Sequence, residues 1–312
     1  MAEKLLSIVI PSYNEEQNVL QLYNSLLPVL QNLEYRYEII YVDDGSKDST
    51  FAEVKKIAAS DTHVRGFSLS RNFGHQVALF AGLKESKGEI VVMMDADMQH
   101  PPEVIPQMIS EIEKGFDIIN TKRIDSENTG AFKKMTSKGF YRFINFLSDV
   151  KIEPAAADFR LLSRKATDAF LELEERDRFT RGLISWMGFR QTIIEYNASR
   201  RFAGKSKYTL KKMFRFGMDG ITSFSAKPLR VSFYAGMIIF FIGMLYSIYA
   251  IIENLLGKTV PGWTSILVAV LIIGGIQLLS LGIIGEYIAR IFNESKARPL
   301  YFIKDKTDSE LL

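Results

Sequence analysis

Two stretches near the C-terminus constrain the fold of this chain more than any other feature. Val231–Ile252 is 22 residues without a charge, and Thr259–Gly285 is 27 residues without one. A helix of roughly 20 apolar residues crosses the hydrocarbon core of a bilayer. Both stretches reach that length, and the link between them, "ENLLGKTVPGW", is short. The competing reading is a helical hairpin buried in a water-soluble core. The flanking charge argues against it. Lys205, Lys207, Lys211, Lys212, Arg215, Lys227 and Arg230 precede the first stretch, and Arg290, Lys296, Arg298, Lys304 and Lys306 follow the second. Lys and Arg gather on the cytoplasmic side of membrane proteins. The expected arrangement is a two-helix transmembrane hairpin within residues 231–287, with helices at about 231–252 and 262–285. Both termini are then cytoplasmic, at an inner or plasma membrane.

Ahead of the hairpin, strand-like and helix-like runs alternate. "LLSIVIPS", "YEIIYVDDGS", "VRGFSLS", "EIVVMMDAD" and "FDIINTKR" read as strands. "NEEQNVLQLYNSLLPVLQNL", "DSTFAEVKKIAASD", "GHQVALFAGLKESKG" and "PPEVIPQMISEIEKG" have helical spacing. Glu15 and Glu16 are expected in the first turn of the first helix, and Asp48 or Ser49 as the cap of the second. Such alternation indicates an α/β fold, a mostly parallel sheet flanked by helices. Apolar residues make up 47% of the 312, and their excess falls after residue 230. The absence of cysteine excludes disulfides, thiolate zinc sites and cysteine nucleophiles. A net charge of +3 makes no case for a nucleic-acid partner. "MAEKLLSIVIPSYNEE" reads as a strand start, not a signal peptide.

Ligands of open α/β sheets sit at the carboxyl ends of the strands. Four polar clusters fall there: Pro11–Glu15, Asp43–Ser46, Arg71–Asn72 and Asp95–Gln99. In a strand, Asp95, Asp97 and Gln99 point the same way, because side chains repeat every two residues. Three oxygen donors suit Mg2+ or Mn2+, which bind few carboxylates and leave positions for substrate phosphates. The bland alternative is a solvated acidic turn. "VDDGS" is a plain turn by composition, yet a carboxylate at a strand end also accepts from ribose hydroxyls or a ring N–H. "GKSKYT" resembles the end of a phosphate-binding loop, but position 199 is Ser where that pattern needs Gly. His63, His75 and His100 lack ligand spacing and read as structural. Two basic amphipathic segments, "AFKKMTSKGFYRFINFL" and "TLKKMFRFGMDGITSF", suit an anionic membrane surface.

The ordered series "SIVIPSYNEEQNV", "YVDDGSKDST", "SRNFGHQVALFAGL", "GEIVVMMDADMQHPPE", "DFRLLSRKA" and "RFAGKSKYTLKKM" resembles family 2 glycosyltransferases. More narrowly, with the hairpin, it resembles the polyprenyl-phosphate glycosyltransferases, the group of dolichol-phosphate mannose synthase and its bacterial undecaprenyl-phosphate relatives. The resemblance implies a GT-A-like catalytic domain over 1–208, an amphipathic juxtamembrane segment over 209–230 and a cytoplasmic tail over 288–312. Pro11, Tyr13, Asn14, Glu15, Asp43, Asp44, Asp95 and Ala96 match the residues that hold the nucleotide. Asp95, Asp97 and Gln99 match the metal and diphosphate motif. Lys122 or Arg123 falls where the family directs a cation at phosphate. Arg200, Arg201, Lys205 and Lys207 match the basic segment that closes on diphosphate and acceptor. Asp97, Asp158 and Arg201 are the implied catalytic residues, with Asp158 expected to orient the acceptor or the sugar.

The implied reaction is inverting transfer of a sugar from a nucleotide sugar to a polyprenyl phosphate. UDP-glucose stands ahead of GDP-mannose as donor. Mg2+ or Mn2+ is the implied cofactor, membrane lipids are partners, and analogy points to a homotetramer. Three rivals stand beside this reading. A processive polysaccharide synthase would carry a Q-x-x-R-W motif, which "RGLISWMG" lacks. A transferase acting on a hydroxyl of a lipid-linked saccharide would use Asp158 as base. A non-catalytic membrane scaffold would need no intact acidic ligands.

Overall fold

The computed structural model describes residues 4–124, 156–176, 178–197, 225–256 and 262–307. The amphipathic segments at 131–147 and 209–224 lie outside the described residues, as do Arg200, Arg201, Lys205 and Lys207.

The N-terminal part is an eight-stranded sheet in the order β7-β5-β6-β4-β1-β2-β3-β8. Its strands are β1 (Leu5–Ser12), β2 (Arg36–Asp43), β3 (Val64–Leu69), β4 (Ile90–Met93), β5 (Ile118–Ile124), β6 (Ala156–Ser163), β7 (Gln191–Asn197) and β8 (Ile303–Lys306). Helices α1 (Val19–Gln31), α2 (Thr50–Ser60), α3 (His75–Glu85), α4 (Ile105–Glu113), α5 (Arg164–Leu171) and α6 (Thr180–Trp186) flank it. The apolar runs of the central strands serve both faces. Leu6, Ile8 and Ile10 of β1, Ile39 and Tyr41 of β2, and Ile90 and Val92 of β4 enter one core with α1, α2 and α4. Val9, Ile40, Val42, Val91 and Met93 enter the other, with α3, α5 and α6. A strand sealed on both faces has no polar face, which is why these runs do not alternate.

The sheet is mixed. β1 runs parallel to β2 and β4, as do β2 to β3 and β5 to β7. β6 runs antiparallel between β4 and β5, and β8 runs antiparallel beside β3. The reversal of β6 matters for function. Arg160 pairs with Met93, the last residue of β4, so the start of β6 extends past the carboxyl end of β4. Glu15 and Glu16 precede α1 instead of opening it, and the first turn of α1 holds no acidic residue. Asp48 serves the start of α2: its Oδ1 accepts from the Thr50 N–H at 3.0 Å, while the Ser49 side chain makes no capping bond.

The C-terminal helices are α7 (Lys227–Leu255) and α8 (Trp263–Ser295). Both outrun the expected spans; at 1.5 Å per residue they measure about 44 and 50 Å. Mean hydropathy reaches 1.7 in the first and 1.6 in the second, and these windows are not buried against the protein. Phe240, Leu245 and Leu278 are more than 60% exposed. So much continuous apolar surface on two helices of spanning length suits a lipid environment and points to membrane association. The extra length of α8 carries Glu294 to the Arg176 N–H, at 2.8 Å. The chain then returns to the sheet. β8 pairs with β3, Thr307 N–H donates to Gly66 O at 2.9 Å, and Lys55 meets Asp305 at 2.7 Å. The tail is thus a helix end and an edge strand.

A buried polar network fixes the entry to β4. The Glu38 carboxylate, fully buried, accepts from Ser7 Oγ (2.6 Å), Arg65 Nη1 (3.0 Å) and the Lys87 N–H (2.7 Å). Removing one member of such a pair leaves the other charge buried and uncompensated. Glu38→Ala is expected to cost about 3–5 kcal/mol, read as a lowered midpoint in thermal unfolding of the detergent-solubilised chain. An unchanged midpoint would contradict this assignment.

Candidate active site

At the carboxyl edge of the sheet lies a cleft of about 330 Å3. Each wall comes from a different strand end. Pro11 and Ser12 end β1, with Tyr13 and Glu15 just after it; Asp44 follows β2; Asn72, Gly74 and His75 follow β3; Asp95, Ala96 and Asp97 follow β4; Asp158 lies near the start of β6. Tyr13 is 40% exposed, leaving its ring open to a flat ligand.

The loops are held by their own polar groups. Asn14 adopts φ 55°, a left-handed conformation that Asn tolerates. Its N–H donates to Ser46 Oγ and its Oδ1 accepts from the Lys47 N–H, both at 2.9 Å. Asp43 accepts from the Ser46 N–H and from Ser68 Oγ. Asp44 accepts from the N–H groups of Phe73 (2.7 Å) and Gly74 (2.9 Å). Burial pushes the Asp44 carboxyl up, and these donors offset part of that rise. Gly45, at φ +66°, packs so closely that a Cβ would lie 2.4 Å from the Arg71 carbonyl carbon. Asn14 and Asp43 therefore build the rim, and only Asp44 of this group reaches the cleft.

The Asp95–Gln99 segment is a turn, because β4 ends at Met93. Strand alternation is not what groups its side chains. Met98 turns the backbone at φ 63°, and the Gln99 N–H donates to Asp97 Oδ1 at 3.2 Å. Asp95 and Asp97 face the cleft, whereas Gln99 is held to the side by Arg123 Nη1 at 3.3 Å. His100 has a structural task. Its Nδ1 accepts the Asp95 N–H at 2.9 Å, and its ring stacks on Phe159 with centroids 5.1 Å apart. His75 is the residue that sequence spacing missed: its Nε2 lies 3.3 Å from Asp95 Oδ1 on the cleft wall. The signal was its place just after a strand-end loop, at the start of α3.

Asp158 is clamped. Arg181 Nε donates to Oδ1 at 2.9 Å and Nη2 to Oδ2 at 3.1 Å. Burial pushes this carboxyl up, but the Arg181 guanidinium more than reverses the effect, with Arg160 and His75 adding to it. The net result is a carboxyl held well below the usual carboxylate range. Arg160 is buried behind it, and burial brings its guanidinium down to about 10, against the opposing pull of Asp158.

The donor set suits a divalent cation shared with a ligand. Among the described residues, no group of three or more His, Cys, Asp or Glu side chains could enclose an ion alone. Asp95 and Asp97 supply hard oxygen donors at the cleft, which matches an ion that keeps positions for phosphate oxygens. Lys122 is not among the residues that line this cleft. It pairs with Glu195 at 2.8 Å, its register neighbour on β7, whereas Arg123 beside Tyr196 points to the opposite face and reaches Gln99. Period-two alternation separates the two cations. In calorimetric titrations with UDP and Mn2+, Arg123→Ala is expected to weaken binding about tenfold, the scale of one charge-assisted contact. Lys122→Ala should change it less than about twofold. The reverse order would refute this register.

Comparison with known proteins agrees with this architecture. Residues 7–171 match the model of glycosyl transferase family 2, and residues 227–291 match the GtrB C-terminal hairpin. A putative glycosyltransferase of Bacillus subtilis, CsbB, is 44% identical over 98% of this chain and 93% of its own. An uncharacterized glycosyltransferase of Synechocystis, sll0501, is 43% identical over 98% of this chain and 97% of its own. A bactoprenol glucosyl transferase of Shigella phage SfV is 41% identical over 96% of this chain and 98% of its own. The strand-end cleft and the apolar hairpin are thus both accounted for by one kinship: the chain belongs to glycosyl transferase family 2, on its polyprenyl-phosphate branch.

Proposed function

We propose that this protein transfers glucose from UDP-glucose to undecaprenyl phosphate, with inversion, at the cytoplasmic face of the membrane. The product is a polyprenyl-phosphate sugar donor for modification of cell-envelope glycans. One juxtaposition carries the reading. A cleft with a carboxylate pair suited to a cation-bound diphosphate sits on a chain whose hairpin is long enough to enter a bilayer. The bactoprenol glucosyl transferases similar over nearly the whole chain support the same substrates.

The chemistry follows from charge. A lipid phosphate is ionised at neutral pH, so it needs no strong base to become a nucleophile. Its oxygen attacks the anomeric carbon, the carbon–oxygen bond to the diphosphate breaks, and UDP leaves with the electron pair. Tyr13 and Pro11 flank the base, Glu15 and Asp44 face the ribose, and Asp95 and Asp97 face the diphosphate. Asn14 and Asp43 support that pocket from the rim. A bound Mg2+ or Mn2+ would neutralise the departing diphosphate. Arg123 adds positive charge beside it. Arg200, Arg201, Lys205 and Lys207 complete the acceptor site in this reading.

Topology belongs to the same proposal. Lys227 and Arg230 precede the first span, and Arg290, Lys296 and Arg298 follow the second, a bias that supports a cytoplasmic position for both ends. The catalytic part then comprises 1–208, the juxtamembrane segment 209–230, the hairpin 231–287 and the tail 288–312. A homotetramer is the proposed assembly. The hydroxyl-acceptor alternative asks Asp158 to take a proton, which its clamp by Arg181 opposes.

Radiolabelled glucose transfer from UDP-glucose to purified undecaprenyl phosphate tests the reading. Lipid-extractable product that disappears with EDTA is expected. Asp97→Ala should abolish transfer while leaving the protein in the membrane fraction with an unaltered unfolding midpoint. No product across a panel of common nucleotide sugars would overturn the proposal.

A further inference from the structure

Arg181 belongs to none of the strand-end loops that form the cleft. It rides on α6, which is anchored by Leu183 and Ile184 in the second core. From there it reaches 23 residues back in sequence to the opening of β6 and takes both oxygens of Asp158 in a fork. Such two-point pairing fixes orientation as well as charge. A carboxylate has about four acceptor positions. The fork uses two, and the cleft-facing remainder can still accept. Arg160, two residues along the same face of β6, backs the pair from within.

We propose that Arg181 is a positioning residue that fixes Asp158 as a permanent hydrogen-bond acceptor for a hydroxyl of the donor sugar. This rests on the reaction proposed above and assigns the partner of Asp158 within it. Charge selects that partner. Asp158 shares the cleft with Asp95 and Asp97, the diphosphate wall. Without a proton of its own, an ionised carboxylate has nothing to donate to a phosphate oxygen, whereas it accepts from the hydroxyls of a neutral polyol. The clamp also withholds Asp158 from proton transfer, so the site favours an acceptor that arrives already ionised.

Calorimetry with UDP and with UDP-glucose, each with Mn2+, tests this on the full-length detergent-solubilised chain. For Arg181→Gln and Asp158→Asn, UDP affinity is expected to stay within about twofold, while UDP-glucose affinity falls about tenfold, the scale of a hydrogen bond to a charged group. The double variant should be no worse than Asp158→Asn alone, because both changes remove one unit. It also removes both charges of the pair together, which guards against a folding defect from a stranded charge. Arg181→Lys should not restore the wild-type ratio, since a point charge cannot reproduce the fork. Three results would each overturn the proposal: an unaltered UDP-glucose to UDP ratio in Arg181→Gln, equal losses for both ligands, or losses that multiply in the double variant. Wild-type turnover with undecaprenyl phosphate is run in parallel. Its failure would sink the proposed acceptor, while the binding ratios would still decide the role of Arg181.

Discussion

The sealing of β1, β2 and β4 on both faces is the constraint from which the rest of this structure follows. Alternate residues of each strand fill two separate cores, so only the last positions of these strands, such as Pro11, Ser12 and Asp43, are left to serve the cleft and its rim. Parallel register then brings the ends of β1, β2 and β4 to one edge. Within the strands a polar residue needs a buried partner, as Ser7 and Glu38 have in each other; polar residues that face a ligand gather where the strands stop. The cleft is the consequence of that exclusion, and its rigidity comes from the same burial. The Glu38 network adds a second tie, because it binds the loop entering β4 to β1, β2 and β3. The position of the Asp95 turn is therefore set from both ends of a four-residue strand.

Electrostatics divides the cleft into two regions with different tasks. Asp95 and Asp97 form an acidic wall, fit for a cation and the phosphates it carries. Asp158 lies on the same cleft but is already matched by Arg181 and backed by Arg160. Two carboxylate environments a few residues of strand apart are thus distinguished by their partners. The first pair faces the cleft, whereas Asp158 has its charge matched by an arginine fork and keeps hydrogen-bonding capacity toward the cleft.

The C-terminal part makes the membrane helices and the catalytic sheet one unit. α8 ends on Arg176 through Glu294, the chain turns, and β8 seals the β3 edge of the sheet. An unpaired edge strand is a liability that a short added strand removes. Tyr287 of α8 also donates to Ser225 O, ahead of α7, at 2.6 Å. The hairpin is therefore tied at its base, next to the domain that needs access to the lipid surface.

Sequence by itself determined the architecture in outline. Doubly buried strands, intervening amphipathic helices and two charge-free spans are local patterns, and each reports its environment through hydrophobic period alone. It also placed Pro11, Tyr13, Glu15, Asp44, Asp95 and Asp97 at the working edge, because strand ends are legible as the places where apolar runs meet charge. Tertiary structure decided what depends on direction and on long-range pairing. The reversal of β6 put Asp158 at the mouth, although it lies near the start of its strand instead of its end. Strand facing separated Arg123 from Lys122, and a tight turn set Gln99 apart from Asp95 and Asp97. Arg181 and His75 gain their meaning only from partners 23 and 20 residues away in sequence. β8 was invisible for a related reason: "IKDK" has no apolar pattern, and it is a strand only because β3 offers it an edge.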